Sequence, residues 1–179
     1  MMDLREFVAR SMERTRGYTL DMVKDLTPEQ LRWQPAPGTN YVAFLLFHTF
    51  RAEDRYFGRW IGADGELWER EGWSGRWTLP SPPSDSDPIW STGNSWTVAE
   101  VDGWRPPPLA ELLSYAETVR RSALSVLRDF DLTRLGEVPR PEFPNLTITH
   151  YLISASHHEA QHQGQIDCLL GLMTGRQQG

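Results

Sequence analysis

The sequence predicts an all-α protein, a four-helix bundle with one long irregular connection between its second and third helices. Three observations predict it. Four segments of about 20 residues each place apolar side chains at helical spacing. Prolines, glycines and capping residues punctuate the chain between them. One stretch, residues 62–105, is rich in Gly, Pro, Ser and Asp and carries six of the eight tryptophans. A bundle with one long crossover accounts for all three. The 179 residues suit one domain over 1–179, large enough to bury a core without cross-links.

The first helix is expected over residues 3 to 25, with Leu4, Phe7, Val8, Met12, Leu20 and Val23 as its apolar positions. "LTPEQ" breaks it: Thr27 is a strong N-cap, followed by Pro28 at the first helical position and Gln30 at the third. A short turn, "PEQLRW", follows. "QPAPGTN" is a loop, and Thr39 or Asn40 then caps the second long helix, residues 41 to 61, whose inner stripe includes Tyr41, Phe44, Leu45, His48 and Ala52. Gly62 is its expected stop.

"LPSPPSDSDP", inside the tryptophan-rich connection, has too many prolines for a helix. Forty residues with little regular structure is long for a compact domain, and such connections serve as lids or remain disordered. The tryptophans argue for order, either as a lid or as packing over the bundle end. A short helix is expected near "SWTVAEV". The third long helix starts after "RPPP" and runs to Phe130, with a stripe from Leu109 through Leu112, Ala116, Val119, Ala123 and Leu127. "GEVPRPEFPN" is a loop. Thr147 or Thr149 opens the fourth helix, residues 148 to 173.

Charge and composition exclude several functions. A net charge of −6, with Lys24 the sole lysine and no basic block, argues against a nucleic-acid-binding surface. The longest apolar run, "YVAFLLF", is too short to span a bilayer. "MMDLREFVAR" lacks the pattern of a secretory signal. Cys168, the only cysteine, has no disulfide partner within the chain, which fits a reducing compartment. The expected location is the cytosol, with no nucleic-acid or membrane partner.

The chemistry concentrates in the histidines. In "SHHEAQHQGQID", His158 and His162 stand four apart, so on a helix they project from one face, close enough to share a metal ion. They continue the inward line Tyr151, Ala155, Ile166 and Leu169. An imidazole facing a core needs a partner, and a metal ion satisfies several at once. His48, flanked by Phe44, Leu45 and Ala52, is the third candidate ligand, and three imidazoles leave an open coordination position for catalysis. The alternative is a solvated or hydrogen-bonded pair at His158 and His162 and a satisfied core histidine at His48. His150 and His157 read as surface residues, and Glu159 as lying off the stripe. Glu53 and Asp54 read as surface charges, with orientation of a ligand imidazole as the other role open to them, Glu53 first. Gln165 stands beside the stripe, placed to hydrogen-bond a metal-bound water or a substrate. Gly164 suggests close helix packing and Cys168 a small core residue.

Together, "TPEQLRWQPAPGTNYVAFLLFHTFRAEDRYF" and, about 100 residues on, "HHEAQHQGQI" resemble the DinB/YfiT-like superfamily. The first matches its loop and apolar run ending in histidine (Pro35, Pro37, Gly38, Asn40, His48), the second its H-x-x-x-H-x-G-Q pattern (His158, His162, Gly164, Gln165). The resemblance covers residues 3 to 173 and implies an up-up-down-down bundle, a zinc or nickel ion held by His48, His158 and His162, a homodimer, and reactions that use a low-molecular-weight thiol on a small-molecule substrate. Gln161 and Gln163 stand where family members often carry His or Arg, so the substrate class does not carry over. Three functions follow for comparison: a metal-dependent S-transferase or hydrolase, a non-catalytic metal-binding stress-response or sensor protein, and a DNA-binding damage-response protein, the last disfavoured by the acidic charge.

Overall fold

The computed structural model describes residues 2–84 and 88–175. Residues 85–87, toward the end of "LPSPPSDSDP", and the end residues 1 and 176–179 of the expected domain lie outside the described residues. Every regular element among the described residues is helical. The four long helices are α1 (Leu4–Val23), α3 (Val42–Arg55), α6 (Leu109–Asp129) and α7 (Ile148–Thr174), and the short ones are α2 (Pro28–Leu31), α4 (Leu67–Arg70) and α5 (Val98–Gly103). Helix α1 packs against α6 and α7, and α3 packs against the same two. No helix among the described residues is long and apolar enough to cross a membrane.

Local chemistry sets most boundaries. Asp3 caps α1 by accepting from the Glu6 amide. Thr27 and Gln30 form a reciprocal capping box at α2, as do Thr97 and Glu100 at α5, the helix expected near "SWTVAEV". Helix α3 differs from expectation: Tyr41 is its N-cap and makes no side-chain capping bond, in place of Thr39 or Asn40. Its last stretch, Tyr56–Ile61, widens into a π-helical turn that stops at Gly62, whose amide donates to the Phe57 carbonyl.

The buried face of α1 is Val8, Met12, Arg16, Thr19 and Val23, while Leu4, Phe7 and Leu20 are exposed. The apolar pattern misplaced this face because two of its inward positions hold Arg and Thr. Helix α3 is buried on nearly every side, from Val42 to Arg55, with His48 the half-buried exception. The cause is the tryptophan-rich connection. Far from being structureless, it folds into α4, α5 and two 3₁₀ turns (Trp73–Gly75 and Pro88–Thr92), and its six tryptophans are only 2–9% exposed. The Phe47 ring alone meets Trp68, Trp77, Trp96 and Trp104 at centroid distances of 4.7 to 6.3 Å. Gly93 lets this layer close: its φ is +85°, and a Cβ there would sit 2.9 Å from the Phe44 ring.

Two buried polar networks tie these layers together. In the first, each long helix contributes one charge. Arg16 of α1 bonds Glu53 of α3 at 2.9 Å and Glu159 of α7 at 2.6 Å. Arg120 of α6 bonds the same two carboxylates at 2.7 Å each. Remaining guanidinium donors go to the Ala116 and Met12 carbonyls. Glu53 is therefore no surface charge, and its two arginines hold its carboxyl below the usual range against the opposing effect of burial. In the second network Asp54, likewise buried, accepts from Arg51 and Tyr115 and caps α4 by accepting from the Leu67 and Trp68 amides. Both acids follow His48 on a helix whose outer face the connection covers, which is why a surface reading fails.

Replacing Arg120 with Met leaves two buried carboxylates sharing Arg16 alone, one negative charge in excess, and is expected to cost about 3–5 kcal/mol of unfolding free energy. Urea denaturation of this variant checks it; a loss under about 1 kcal/mol would show that the four charges are not mutually compensating.

Candidate metal centre

His48 projects from the middle of α3, and His158 and His162 from successive turns of α7. The three rings converge. His158 Nε2 lies 3.2 Å from His48 Nε2 and 3.2 Å from His162 Nε2, and one ligand atom from each ring falls within 4.8 Å of the others. Nitrogen ligands about 2.1 Å from a common ion stand roughly 3.0–3.4 Å apart, so the spacing suits a shared cation. Three nitrogens also suit zinc or nickel better than magnesium or calcium, which take oxygen.

Two of the rings are oriented from behind. His48 Nδ1 donates to the Thr92 carbonyl at 2.8 Å, and His162 Nδ1 donates to Gln165 Oε1 at 2.8 Å. Each bond places the proton on Nδ1 and leaves the Nε2 lone pair facing the centre. Phe44 stacks on the His48 ring with centroids 6.3 Å apart, and Tyr56 meets His158 edge-on at 6.0 Å. Burial lowers the pKa of all three imidazoles: His48 to about 4, opposed by its bond to Thr92, and His158 to about 3, assisted by His48 and His162. All three are thus neutral near pH 7, the state that ligates.

Gln165 reaches the site, whereas Glu53 spends both carboxylate oxygens on Arg16 and Arg120. Glu159, next to His158 in sequence, also turns away to those arginines. His150 and His157 are exposed, as the sequence suggests. Cys168 and Gly164 differ from expectation: both lie on the exposed face of α7, Cys168 as a free thiol, and nothing stands within 4 Å of a Cβ added at Gly164. Their neighbours Ile166, Leu169 and Leu170 take the core positions.

Sequence reasoning missed Thr92, Arg16 and Arg120. Thr92 acts through its main-chain carbonyl, which carries no residue signature. The arginines did leave one, since each occupies an inward position of an otherwise apolar helical register.

Comparison with known proteins bears on the family and the fold. The family model described as the DinB superfamily matches residues 11–166. The crystal structure of a conserved protein from Enterococcus faecalis is similar in fold, with a TM-score of 0.84 at 20% identity, covering 98% of this chain and 100% of that one. Comparison with curated proteins finds no match.

Because His48 and His158 titrate lower in the folded chain than the usual 6.5, the unfolded chain binds more protons as pH falls. Chelator-treated protein is expected to lose stability from about pH 6.5 down to about 3, and His158→Asn to flatten that slope. Urea titrations at stepped pH check this; identical slopes in the two proteins would refute it.

Proposed function

The chain belongs to the DinB superfamily, and from that premise we propose that it is a divalent-metal-dependent enzyme acting on a small molecule, either a thiol-dependent S-transferase or a hydrolase. The observation that carries this reading is the convergence of three Nε2 atoms from α3 and α7, two of them oriented by bonds at Nδ1. The contacts among α1, α3, α6 and α7 support an up-up-down-down four-helix bundle, with the ligands drawn from two of its members.

In this reading His48, His158 and His162 hold zinc or nickel. Bound there, the ion supplies Lewis acidity, which makes a coordinated water or thiol a nucleophile near neutral pH. The chain's own residues do the rest. Thr92 and Gln165 keep the rings turned inward. Phe44 and Tyr56 form apolar walls that limit water. The buried tryptophan-rich segment backs the site and delivers the Thr92 carbonyl, so it acts as a fixed wall more than as a moving lid. Glu53 and Glu159 both spend their carboxylate oxygens on Arg16 and Arg120, so neither serves as the base in this proposal. Exposed apolar side chains on α1 and α7, including Phe7, Ile153 and Leu172, support a homodimer. A cytosolic location completes the proposal.

Elemental analysis of protein purified without an affinity tag is expected to give one divalent ion per chain. His48→Ala and His158→Ala should abolish it with helicity retained. Gln165→Ala should weaken metal affinity about 10- to 100-fold, the usual cost of removing an orienting partner. A panel of low-molecular-weight thiols with electrophilic substrates then tests turnover. Stoichiometric metal with no turnover on any pair would favour the non-catalytic sensor.

A further inference from the structure

A separate cleft of about 430 Å³ opens at the C-terminal end of α3. Arg55, Arg59, Trp60 and Arg140 line it, and Glu142, the one carboxylate among its described lining residues, is 58% exposed and pairs with Arg140 Nε at 3.0 Å, so an anion there competes with a solvent-exposed carboxylate for one edge of that guanidinium. The guanidiniums are fixed from beneath. Arg55 and Arg59 share one oxygen of Glu66, at 3.4 and 3.3 Å, while its other oxygen bonds Arg51 at 2.7 Å. Three arginines spaced one turn apart thus converge on a single carboxylate. From the opposite wall Arg140 lies over the Trp60 ring at 5.1 Å, and Arg55 lies over the same ring at 5.9 Å. The π-helical turn Tyr56–Ile61 carries Arg59 and Trp60, so its wider winding sets where both point. A guanidinium presents its donors as a rigid fork that matches carboxylate and phosphate oxygens. In a chain of net charge −6, gathering three of them in one concavity marks a place for an anion.

We propose that this cleft binds the oxyanion group of a small molecule, a carboxylate or a phosphate, between Arg59 and Arg140. None of the three imidazoles lines it, so the site goes beyond the metal reading and stands without it. It is nonetheless a neighbour of that centre. Ile89, in the 3₁₀ turn Pro88–Thr92, lines the cleft, and Thr92 of the same turn accepts from His48. The Tyr56 ring meets both Trp60, at 5.4 Å, and His158, at 6.0 Å. An anion in the cleft therefore sits one aromatic layer from the histidines.

Calorimetric titration with phenyl phosphate, benzoate and the neutral benzamide tests the proposal on metal-loaded and chelator-treated protein. At least one anion should bind saturably and benzamide should not; the tighter anion identifies phosphate or carboxylate as the group recognised. Arg59→Gln and Arg140→Gln should each weaken that binding at least tenfold, with helicity and metal content unchanged. Arg59 is 53% exposed, so its replacement leaves the fold intact. Chelation should leave affinity within about twofold. Binding of benzamide as tight as the anions, no anion binding at millimolar concentration, insensitivity to both arginine variants, or loss of binding on chelation would each overturn the proposal. Metal content measured on the same samples separates these outcomes from a failure of the three-histidine reading.

Discussion

Four buried charges, one from each long helix, constrain everything else in this molecule. Arg16, Glu53, Arg120 and Glu159 alternate in sign, and the two arginines join α1 and α6 to the carboxylates of α3 and α7. Taking such groups out of water is costly, and the mutual attraction returns that cost only when the geometry is good. A shift of α7 by one residue would turn Glu159 by about 100° and leave both arginines short of a partner. What the quartet contributes is therefore better sought in register than in net stability. His158 precedes Glu159 directly, and His48 lies little more than one turn before Glu53, so the imidazoles inherit the register that the charges impose.

The tryptophan-rich connection supplies a second constraint, on α3 alone. It wraps the face of α3 that solvent would otherwise reach, and Asp54 anchors it by capping α4. This converts a helix that is amphipathic by expectation into one buried nearly all round. The same wrapping brings a main-chain carbonyl to His48 and a 3₁₀ turn to the wall of the arginine cleft. One segment thus supports core, histidine cluster and cleft together, and this explains why it carries large rigid aromatics where ordinary loops carry small polar residues.

Much of the architecture was legible in the sequence because helical periodicity and capping act locally. Thr27 with Gln30, the ends of α6 and α7, and the short helix α5 all follow from neighbouring residues. The inward placement of His48, His158 and His162 followed from their register with apolar neighbours. What was not legible depends on distant partners. Glu53 and Asp54 look like surface charges until Arg16, Arg120, Arg51 and Tyr115 arrive from elsewhere in the chain. The Thr92 carbonyl has no side-chain identity to read. Cys168 falls on the open side of α7 one position before buried Leu169, and Gly164 two before buried Ile166, a margin that periodicity alone does not resolve.

The division of the ligands has a consequence for how the protein matures. His48 and His158 are separated by 110 positions. During synthesis from the N-terminus, His48 is made long before His158 and His162 exist, and domains complete their folding only once such late segments arrive. A lone imidazole binds metal weakly, so no half-built centre competes for ions while the chain is growing. An ion held by these three rings would be captured last, after α7 docks, and would meet rings already set by the protein instead of directing their assembly.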